Sequence, residues 1–346
     1  MKYFVVSDIH GHASILKKTL EENGFDPQNL QHMLVVCGDC FDRGRENRET
    51  YAYLKSIKNK VLIRGNHEEM LMKVIERGSI NVNNMYNGTD VTVEEFFGCE
   101  NISPSGEVKM SPTRKKQLVD FVKDTVDYYE TENYVFVHGW VPECTDWHHA
   151  TAEDWSRARW TGWCDVKDKS LAGKKTVVCG HRATYYAAGI DRTRRGSDYS
   201  PFFGEGFIAI DGCTIRSGIV NVLVLEDMPM PSRTHAMGLR RRFFDLVARG
   251  KKTVEMRLFD EKRREINVGD KIVFTADDGS GDTVTAVVEG TYVYPSFDGL
   301  AYDFTPESLG FRGKDPEYIK EYMTRIYDKE NIRKHGTVGI KIKAVK

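Results

Sequence analysis

The sequence predicts an α/β domain followed by a smaller, mostly β domain, and three observations support this. The length of 346 residues suggests two domains at about 100–200 residues each. Short apolar runs alternate with helical stretches in the first two thirds of the chain. The stretch Met228-Pro-Met-Pro-Ser232 contains two prolines, which cannot continue a helix or a central strand. We therefore predict domains over residues 1–228 and 233–346.

The composition excludes some classes of protein. Hydrophobic residues make up 40% of the chain and charged residues 29%, which excludes a largely disordered chain. The net charge of -1 excludes a strongly basic coat protein for nucleic acid. Residues 229–346 hold 22 lysines and arginines against 18 aspartates and glutamates, a net of +4, and the remainder has a net of -5. This modest positive charge is consistent with weak RNA contact by the second domain.

The strands of the first domain are predicted from apolar runs that each end in a polar residue, mostly after a glycine. These runs are KYFVVSD, HMLVVCGD, KVLIRGN, YVFVHG and KTVVCGH. Strands that are apolar throughout are buried on both faces, so the runs predict an α/β/α sandwich whose chemistry lies at the carboxyl ends of the strands. The later runs GEGFIAIDGC and GIVNVLVLED predict a closing hairpin.

The segment from about residue 79 to 115 is rich in Asn, Gly, Ser and Thr, and it predicts a loop-rich cap. Two interpretations are equally open for this segment: surface filler, or part of a substrate cleft.

The second domain is predicted from one helical stretch and several short strands. The helix is LRRRFFDLVARGKKT, and the strands are EMRLFD, KIVFTA, TVTAVVEGTYVY and TVGIKIKAV. This order predicts a small, partly closed β-barrel.

Neither a membrane segment nor a disulfide framework is expected. No stretch approaches the ~20 apolar residues of a transmembrane helix. The seven cysteines lie mostly in apolar runs, and Cys37 and Cys40 have no second cysteine pair to complete a structural zinc site. We therefore expect free thiols, a cytoplasmic location and no membrane partner.

Polar side chains follow five of the predicted strands. Carboxylate, imidazole and amide oxygen together form a ligand set for a divalent transition metal. Each fragment alone is weak, but five fragments at strand ends point to one crevice. The residues are Asp8, His10, Asp39, Asp42, Arg43, Arg64, Asn66, His67, His138 and His181.

The elements GDCFDRG and RGNHE resemble the calcineurin-like metallophosphoesterases. Within these, the first ~228 residues are most similar to the group of phage and bacterial protein phosphatases and symmetric diadenosine tetraphosphatases. Ile210-Asp211-Gly212-Cys213 resembles the closing strand of that family. The resemblance implies a four-layer α/β fold, in which a β-sandwich is flanked by helices.

The resemblance also implies two bound divalent metal ions. Manganese is the first choice, and O/N ligands also accept iron, zinc or nickel. By resemblance, Asp8 and His10 would hold the first ion, Asp39 would bridge, and Asn66, His138 and His181 would hold the second. His67 would protonate the leaving oxygen with Asp42 orienting its ring, and Arg43, Arg64 and Arg157 would bind phosphate. For the third arginine, Arg157 matches the family pattern better than Arg159.

The second domain contains Gly250-Lys-Lys252-Thr-Val-Glu255-Met-Arg257, which resembles the GxKxxExR signature of the ASCH domain, a relative of PUA-type barrels associated with RNA. Lys252 and Arg257 would offer cationic donors to phosphate or bases, and Glu255 would pair with them or accept from a base amine. Two questions stay open. The helical arginines 240–242 would contact RNA or form a solvated face. Tyr292, Tyr294 and Phe297 would stack bases or, preferably, fill the barrel core.

These features predict an enzyme that hydrolyses phosphomonoesters, foremost phosphoserine or phosphothreonine in proteins. The first alternative is hydrolysis of a dinucleoside polyphosphate or of a phosphate at an RNA end. An alternative of another class is a non-catalytic nucleic-acid-binding protein, which the complete ligand set disfavours.

Overall fold

The computed structural model describes residues 1–144, 146–169, 173–189 and 196–345. It divides into two compact units. The first consists of Met1–Val141 and Ser156–Pro229, and the second of Pro142–Trp155 and Met230–Lys346. The second unit thus includes a segment that precedes the predicted linker, which no feature of the sequence indicates.

The strands of the described chain are numbered in order along it. They are β1 (Lys2–Val6), β2 (His32–Cys37), β3 (Lys60–Ile63), β4 (Tyr129–Glu130), β5 (Tyr134–Phe136), β6 (Thr176–Cys179), β7 (Phe202–Gly204), β8 (Phe207–Ala209), β9 (Leu223–Glu226), β10 (Thr234–Leu239), β11 (Val254–Leu258), β12 (Lys271–Ala276), β13 (Thr283–Tyr294) and β14 (Thr337–Ala344).

The α-helices are numbered in the same way. They are α1 (Ala13–Glu22), α2 (Asn47–Ser56), α3 (Asn66–Arg77), α4 (Val82–Asn87), α5 (Thr89–Phe97), α6 (Pro112–Lys123), α7 (Ala152–Arg159), α8 (Thr214–Ser217), α9 (Arg241–Ala248), α10 (Glu261–Arg264), α11 (Phe297–Asp303), α12 (Pro316–Thr324) and α13 (Lys329–His335).

The first unit contains two sheets. One has the order β3-β2-β1-β9, and the other has the order β4-β5-β6-β8-β7. Within the first sheet β1, β2 and β3 are parallel, and within the second β5, β6 and β8 are parallel. The sequence predicts an α/β fold, and the structure confirms it. The apolar runs alone do not show that the strands are divided between two separate sheets.

The two faces of β1 show why its residues are apolar throughout. Tyr3 and Val5 belong to a core that also includes residues of β5, β6 and β8 in the other sheet. Phe4 and Val6 belong to a second core, formed with residues of α1, α2, α3, α5 and α6. All four side chains are fully buried, so a polar residue on either face would lose its hydration.

Two expectations for the first unit are wrong. β8 and β9 do not form a hairpin, because β8 pairs with β6 and β7 in one sheet and β9 pairs with β1 in the other. Both strands are apolar, and such runs do not specify their partners. The segment 79–115 is not loop-rich either, since it contains α4, α5 and the start of α6.

The second unit contains one five-stranded sheet in the order β10-β12-β13-β14-β11. The four strands expected from the sequence are present, and β10 is an additional one. β13 bends at a register shift between Val288 and Gly290, which lets one long strand curve around the core. Tyr292, Tyr294 and Phe297 are all buried in this unit, which answers the open question in favour of core packing.

All seven cysteines are free thiols. None of the helices in the described part of the chain combines the length and the hydropathy that crossing a membrane would require.

Candidate functional site

The predicted ligands of the first unit lie where parallel strands of both sheets end. Asp8 and His10 follow β1, Asp39 follows β2, and Asn66 opens α3 directly after β3. His138 follows β5 and His181 follows β6 in the other sheet. The carboxyl ends of both sheets therefore supply side chains to the site.

Asp39 lies at the centre of this group, and its two carboxylate oxygens face different neighbours. Asp39 Oδ2 is 3.7 Å from His10 Nε2 and 3.8 Å from His67 Nε2. Asp39 Oδ1 is 3.4 Å from His138 Nε2. Two clusters able to hold a cation share this residue: His10, Asp39 and His67, and Asp39, His138 and His181. Asp39 is thus placed to serve two ions.

Asp8 and Asn66 complete the two clusters. Asp8 Oδ1 is 3.9 Å from His10 Nε2. The side-chain oxygen of Asn66 is 2.8 Å from His138 Nε2 and 3.0 Å from His181 Nδ1. Asp8 on one side and Asn66 on the other therefore add an oxygen donor to each.

Three of the imidazoles are fixed by backbone carbonyl oxygens. A carbonyl only accepts, so the bonded nitrogen carries the proton and the other nitrogen presents its lone pair to the site. These bonds run from His10 Nδ1 to Phe41 O (2.9 Å), from His138 Nδ1 to Cys37 O (2.8 Å) and from His181 Nε2 to Trp160 O (3.1 Å).

His67 is fixed by a carboxylate instead. Its Nδ1 is 2.7 Å from Asp42 Oδ2, and both side chains are buried. Asp42 in turn accepts hydrogen bonds from the hydroxyls of Thr89 (2.8 Å) and Thr92 (2.6 Å). These three bonds hold the Asp42 carboxylate in one orientation, and through it the ring of His67. His67 can be read as a third ligand beside His10 and Asp39 or as a proton donor, and the carboxylate behind it favours the second role.

Glu68 organises the backbone of the site. Its Oε2 accepts from the backbone N–H groups of Asp39 (2.9 Å) and Gly65 (2.8 Å), and its Oε1 accepts from that of Cys40 (2.8 Å). One buried carboxylate thereby ties the loop after β2 to the loop after β3. Gly65 is required here, because a Cβ atom at this position would collide with the Asp39 carboxylate.

Most of the site residues adopt left-handed backbone conformations. Such φ values are uncommon for residues other than glycine and cluster at functional sites. They are Asp8 (50°), His10 (46°), Asp39 (54°), Asp42 (75°), Arg43 (68°) and His181 (63°), together with Cys213 (53°). The fold therefore maintains strain at the residues that the sequence singled out.

Burial favours the uncharged forms of the carboxyl groups and imidazoles in the site. It raises the pKa of the carboxyl groups of Asp8 and Asp39, and the neighbouring carboxylates add to this. Burial lowers the pKa of the imidazoles of His10 and His138, and it lowers the pKa of His181 to about 4. The imidazoles are therefore neutral, as a metal ligand must be, and cations would offset the cost of burying the two carboxylates.

The residues present fit divalent metal ions. The donors are carboxylate and amide oxygens with neutral imidazole nitrogens, which suit manganese, iron, zinc or nickel. Their orientations are fixed by carbonyl and carboxylate partners, as is usual for the ligands of a metal.

The predicted phosphate-binding arginines differ in their surroundings. Arg43 Nη1 lies 3.1 Å from His10 Nε2 and Arg43 Nη2 lies 3.2 Å from His67 Nε2, so its guanidinium lies within the site. Arg64 donates through Nε to Thr125 Oγ1 (2.9 Å) and through Nη2 to the carbonyl of Val122 (3.2 Å), which turns these two nitrogens toward the end of α6.

Burial separates the two candidates for the third arginine. Arg159 is buried and pairs with Glu69 and Asp127, whereas Arg157 is exposed. The guanidinium of Arg159 is therefore engaged within the protein, and phosphate binding by Arg157 stays a prediction.

Sequence reasoning assigned no role to several residues of the site. Glu68 lies within the RGNHE element, yet nothing in its position reveals three backbone partners. Thr89 and Thr92 lie 47 and 50 residues from Asp42 in a segment without a recognised motif. Asp211 is a buried carboxyl group close enough to Asp8 to raise its pKa, and its own pKa is raised to about 6 by burial.

In the second unit, the buried Lys252 and Glu255 and the partly buried Arg257 form a group, termed here the C-terminal ion-pair cluster. Glu255 lies 3.3 Å from Lys252 Nζ and 2.9 Å from Arg257 Nε. Lys252 also donates to the carbonyls of Val254 (2.5 Å) and Leu309 (3.0 Å), and Arg257 donates to that of Gly238 (2.7 Å). The ammonium of Lys252 is thus directed into the domain, although the sequence suggested a contact with phosphate or a base.

A pocket of about 240 Å³ lies beside this cluster. Its wall includes all three cluster residues together with the aromatic side chains of Phe311 and Tyr322. This volume is below the roughly 300–1,000 Å³ of pockets for drug-sized ligands, so it suits a small flat group.

Comparison with known proteins agrees with this geometry. The family model described as calcineurin-like phosphoesterase matches residues 1–208, and the ASCH domain matches residues 237–346. Serine/threonine-protein phosphatase 2 of Salmonella typhimurium is 27% identical over 190 residues, which cover 53% of this chain and 80% of that protein.

Two other relatives match over shorter stretches. Serine/threonine-protein phosphatase 1 of the same organism is 45% identical over 69 residues, 20% of this chain and 31% of that protein. The symmetrical bis(5'-nucleosyl)-tetraphosphatase of Marinomonas sp. is 33% identical over 75 residues, 21% of this chain and 26% of that protein. The chain thus spans less than a third of the length of each. The match over residues 1–208 shows that the chain belongs to the calcineurin-like phosphoesterases, a family of metal-dependent hydrolases, and it carries an ASCH domain after the phosphoesterase domain.

Proposed function

We propose that the protein is a dinuclear, metal-dependent phosphomonoesterase of the serine/threonine protein phosphatase type. The observation that carries this proposal is the arrangement around Asp39, whose two oxygens face two separate clusters of imidazole nitrogens at 3.4–3.8 Å. The proposal divides the chain into a catalytic domain over residues 1–228 and an ASCH domain over residues 233–346.

Asp8, His10 and Asp39 would hold one ion, and Asp39, Asn66, His138 and His181 the other. When bound, the two cations supply an activated water molecule and neutralise charge on the phosphoryl oxygens. We take manganese as the metal to test first.

The other residues of the site handle the phosphate and a proton. His67 donates the proton that the leaving oxygen requires, and the bond from Nδ1 to Asp42 fixes the tautomer and the orientation of the ring. The guanidinium of Arg43 binds phosphoryl oxygens by forked hydrogen bonds. Arg64 and the exposed Arg157 would also bind phosphoryl oxygens, from the edge of the site.

Two features support a protein substrate. Two of the relatives, which are 45% and 27% identical to this chain over the matched residues, are named serine/threonine-protein phosphatases. The side chains described above would contact a phosphoryl group and its leaving oxygen, and these roles require nothing of a base or a sugar.

A second candidate function is hydrolysis of a dinucleoside polyphosphate or of a phosphate at an RNA end. The side chain of Trp160 is 47% exposed, and its ring lies 6.1 Å from that of His181, where it could stack a base. The pocket beside the C-terminal ion-pair cluster would bring RNA to the protein through Arg257 and its aromatic wall, with Lys252 and Glu255 holding Arg257 in place.

The full-length protein with manganese should hydrolyse an aryl phosphate. Asp39→Asn removes the residue shared by both clusters, and we expect kcat/KM to fall on the order of 10³-fold or more, because charge neutralisation by the metals contributes several kcal/mol. His67→Asn removes the proton donor, and we expect a fall of about 10²–10⁴-fold. Asp124→Asn and His335→Asn are matched controls away from the site.

Wild-type protein that is inert with every divalent metal would contradict the proposal. A panel of phosphoserine peptide, diadenosine tetraphosphate and 5′-triphosphate RNA, compared by kcat/KM, ranks the two candidate functions.

A further inference from the structure

Helix α4 turns its apolar side chains outward. Val82, Met85 and Tyr86 are spaced i, i+3 and i+4, so they share one face of the helix, and they are 81%, 60% and 89% exposed. Asn84, by contrast, is buried. This is the reverse of an ordinary surface helix, and we refer to the three residues as the α4 face.

Hydrogen bonds fix the outward orientation of this face. Asn84 Oδ1 accepts from Arg77 Nη2 of α3 (2.8 Å) and from the backbone N–H of Asn81 (3.0 Å). Asn81 Oδ1 accepts in return from the backbone N–H of Asn84 (3.0 Å). The polar side of α4 is therefore bonded to the protein, and rotating the helix to bury its apolar side would break these bonds.

The α4 face lies at the edge of the catalytic site. The helix ends at Gly88, whose carbonyl accepts from the backbone N–H of Arg43 at 3.2 Å. A Cβ atom at Gly88 would collide with the Arg43 backbone. The next residue, Thr89, donates to Asp42. Tyr86 is two residues from Gly88, within about 7 Å along the chain, so a molecule attached to a phosphate at Arg43 would reach this face.

The chemistry of the face favours one kind of substrate. None of residues 80–89 carries a charge. A polyphosphate chain or an RNA backbone would need cationic side chains along its path, whereas an apolar side chain of a peptide would bury Val82, Met85 and Tyr86.

We propose that the α4 face binds an apolar residue flanking the phosphoserine or phosphothreonine of a peptide substrate, and so determines sequence preference. This inference rests on the proposed function and names its substrate more closely. Tyr86 and Met85 are then specificity residues, and the hydrolytic residues are those around Asp39.

The test uses the full chain with manganese. Short phosphoserine peptides carry leucine or glutamate at one flanking position at a time, and an aryl phosphate serves as the reference substrate. We expect the wild type to prefer leucine at one position by about tenfold or more in kcat/KM, the scale of a lost apolar contact. Met85→Ser combined with Tyr86→Ser should remove that preference through KM. Tyr86→Phe should keep it, as should Leu30→Ser, an exposed apolar residue (73% exposed) before the opposite end of β2.

Selectivity is measured as the ratio of kcat/KM for each peptide to kcat/KM for the aryl phosphate. Partial misfolding lowers both values by the same factor and leaves this ratio unchanged. No leucine preference in the wild type, or the same preference in the double variant, overturns the inference while the phosphoesterase proposal stands. Cleavage of diadenosine tetraphosphate alone, with a KM that depends on Tyr86, assigns the face to nucleotides and also overturns it. A protein inert on the aryl phosphate overturns both proposals together.

Discussion

The candidate metal site around Asp39 and the C-terminal ion-pair cluster both contain buried charged residues, but the polar atoms of these residues are oriented in opposite ways. Around Asp39, one nitrogen of each imidazole forms a hydrogen bond with a protein acceptor, and the other nitrogen faces the site. In the C-terminal cluster, Glu255 is shared by Lys252 and Arg257, and the remaining donors of Lys252 end on backbone carbonyls.

The difference shows that a charged motif does not by itself define a ligand site. A buried charged group whose ion-pair partners lie within the protein stabilises a local structure, whereas nitrogen and oxygen lone pairs that converge on a common point suit an external cation. The prediction that Lys252 contacts RNA came from one short motif, and the prediction that Asp39 binds metal came from five fragments at strand ends. In the structure the two sites also differ in the orientation of their donors.

The largest effect should follow from breaking the C-terminal cluster. Lys252→Met leaves Glu255 with a single cationic partner and two carbonyls without a donor, and we expect about 3 kcal/mol of lost stability, the scale for removing one partner of a buried pair. Chemical denaturation measures this, and Lys251→Met, at an exposed lysine, is the control. A stable variant that instead loses RNA affinity would show that Lys252 faces a ligand after all.

A smaller effect is expected when the scaffold of the metal centre is altered. Glu68→Gln keeps one oxygen for the backbone N–H groups of Asp39 and Gly65 but places an amide N–H against that of Cys40. We expect kcat/KM for an aryl phosphate to fall about 10–100-fold, as for other residues behind metal ligands. Glu76→Gln, on the exposed side of the same helix, should have no effect. Full activity in Glu68→Gln would mean that the loops keep the geometry of the site without the hydrogen bonds to Glu68.

The smallest effect concerns the support of His67. Thr92→Val removes the hydroxyl donor that lies 2.6 Å from Asp42 Oδ1 and leaves Thr89 in place. One hydrogen bond to a carboxylate corresponds to about 1.5 kcal/mol, so kcat should fall roughly tenfold with little change in KM. Thr92→Ser retains the hydroxyl and should restore most of the activity. Equal losses in both variants would point to packing around the methyl group instead.

The strands and the positions of the candidate ligands at their ends were predictable from the sequence because each depends on a local pattern. An apolar run ending in glycine and a polar residue identifies both a strand and the side chain at its end, as for His138 and His181. The pairing of β8 and β9 was not predictable, since both strands are apolar and differ only in the sheet they join. The support of Asp42 by Thr89 and Thr92 was not predictable either, because it depends on how a helical segment 47–50 residues away folds over the site.

The six proposed ligands are divided between the sheets. Asp8, His10, Asp39 and Asn66 follow strands of one sheet, and His138 and His181 follow strands of the other. Ions held among them would join the two halves of the sandwich as a cross-link does. Separating the sheets would then release the metal, so chelation and unfolding of this domain become linked equilibria. Removing the metal would therefore lower both the stability of the domain and its activity.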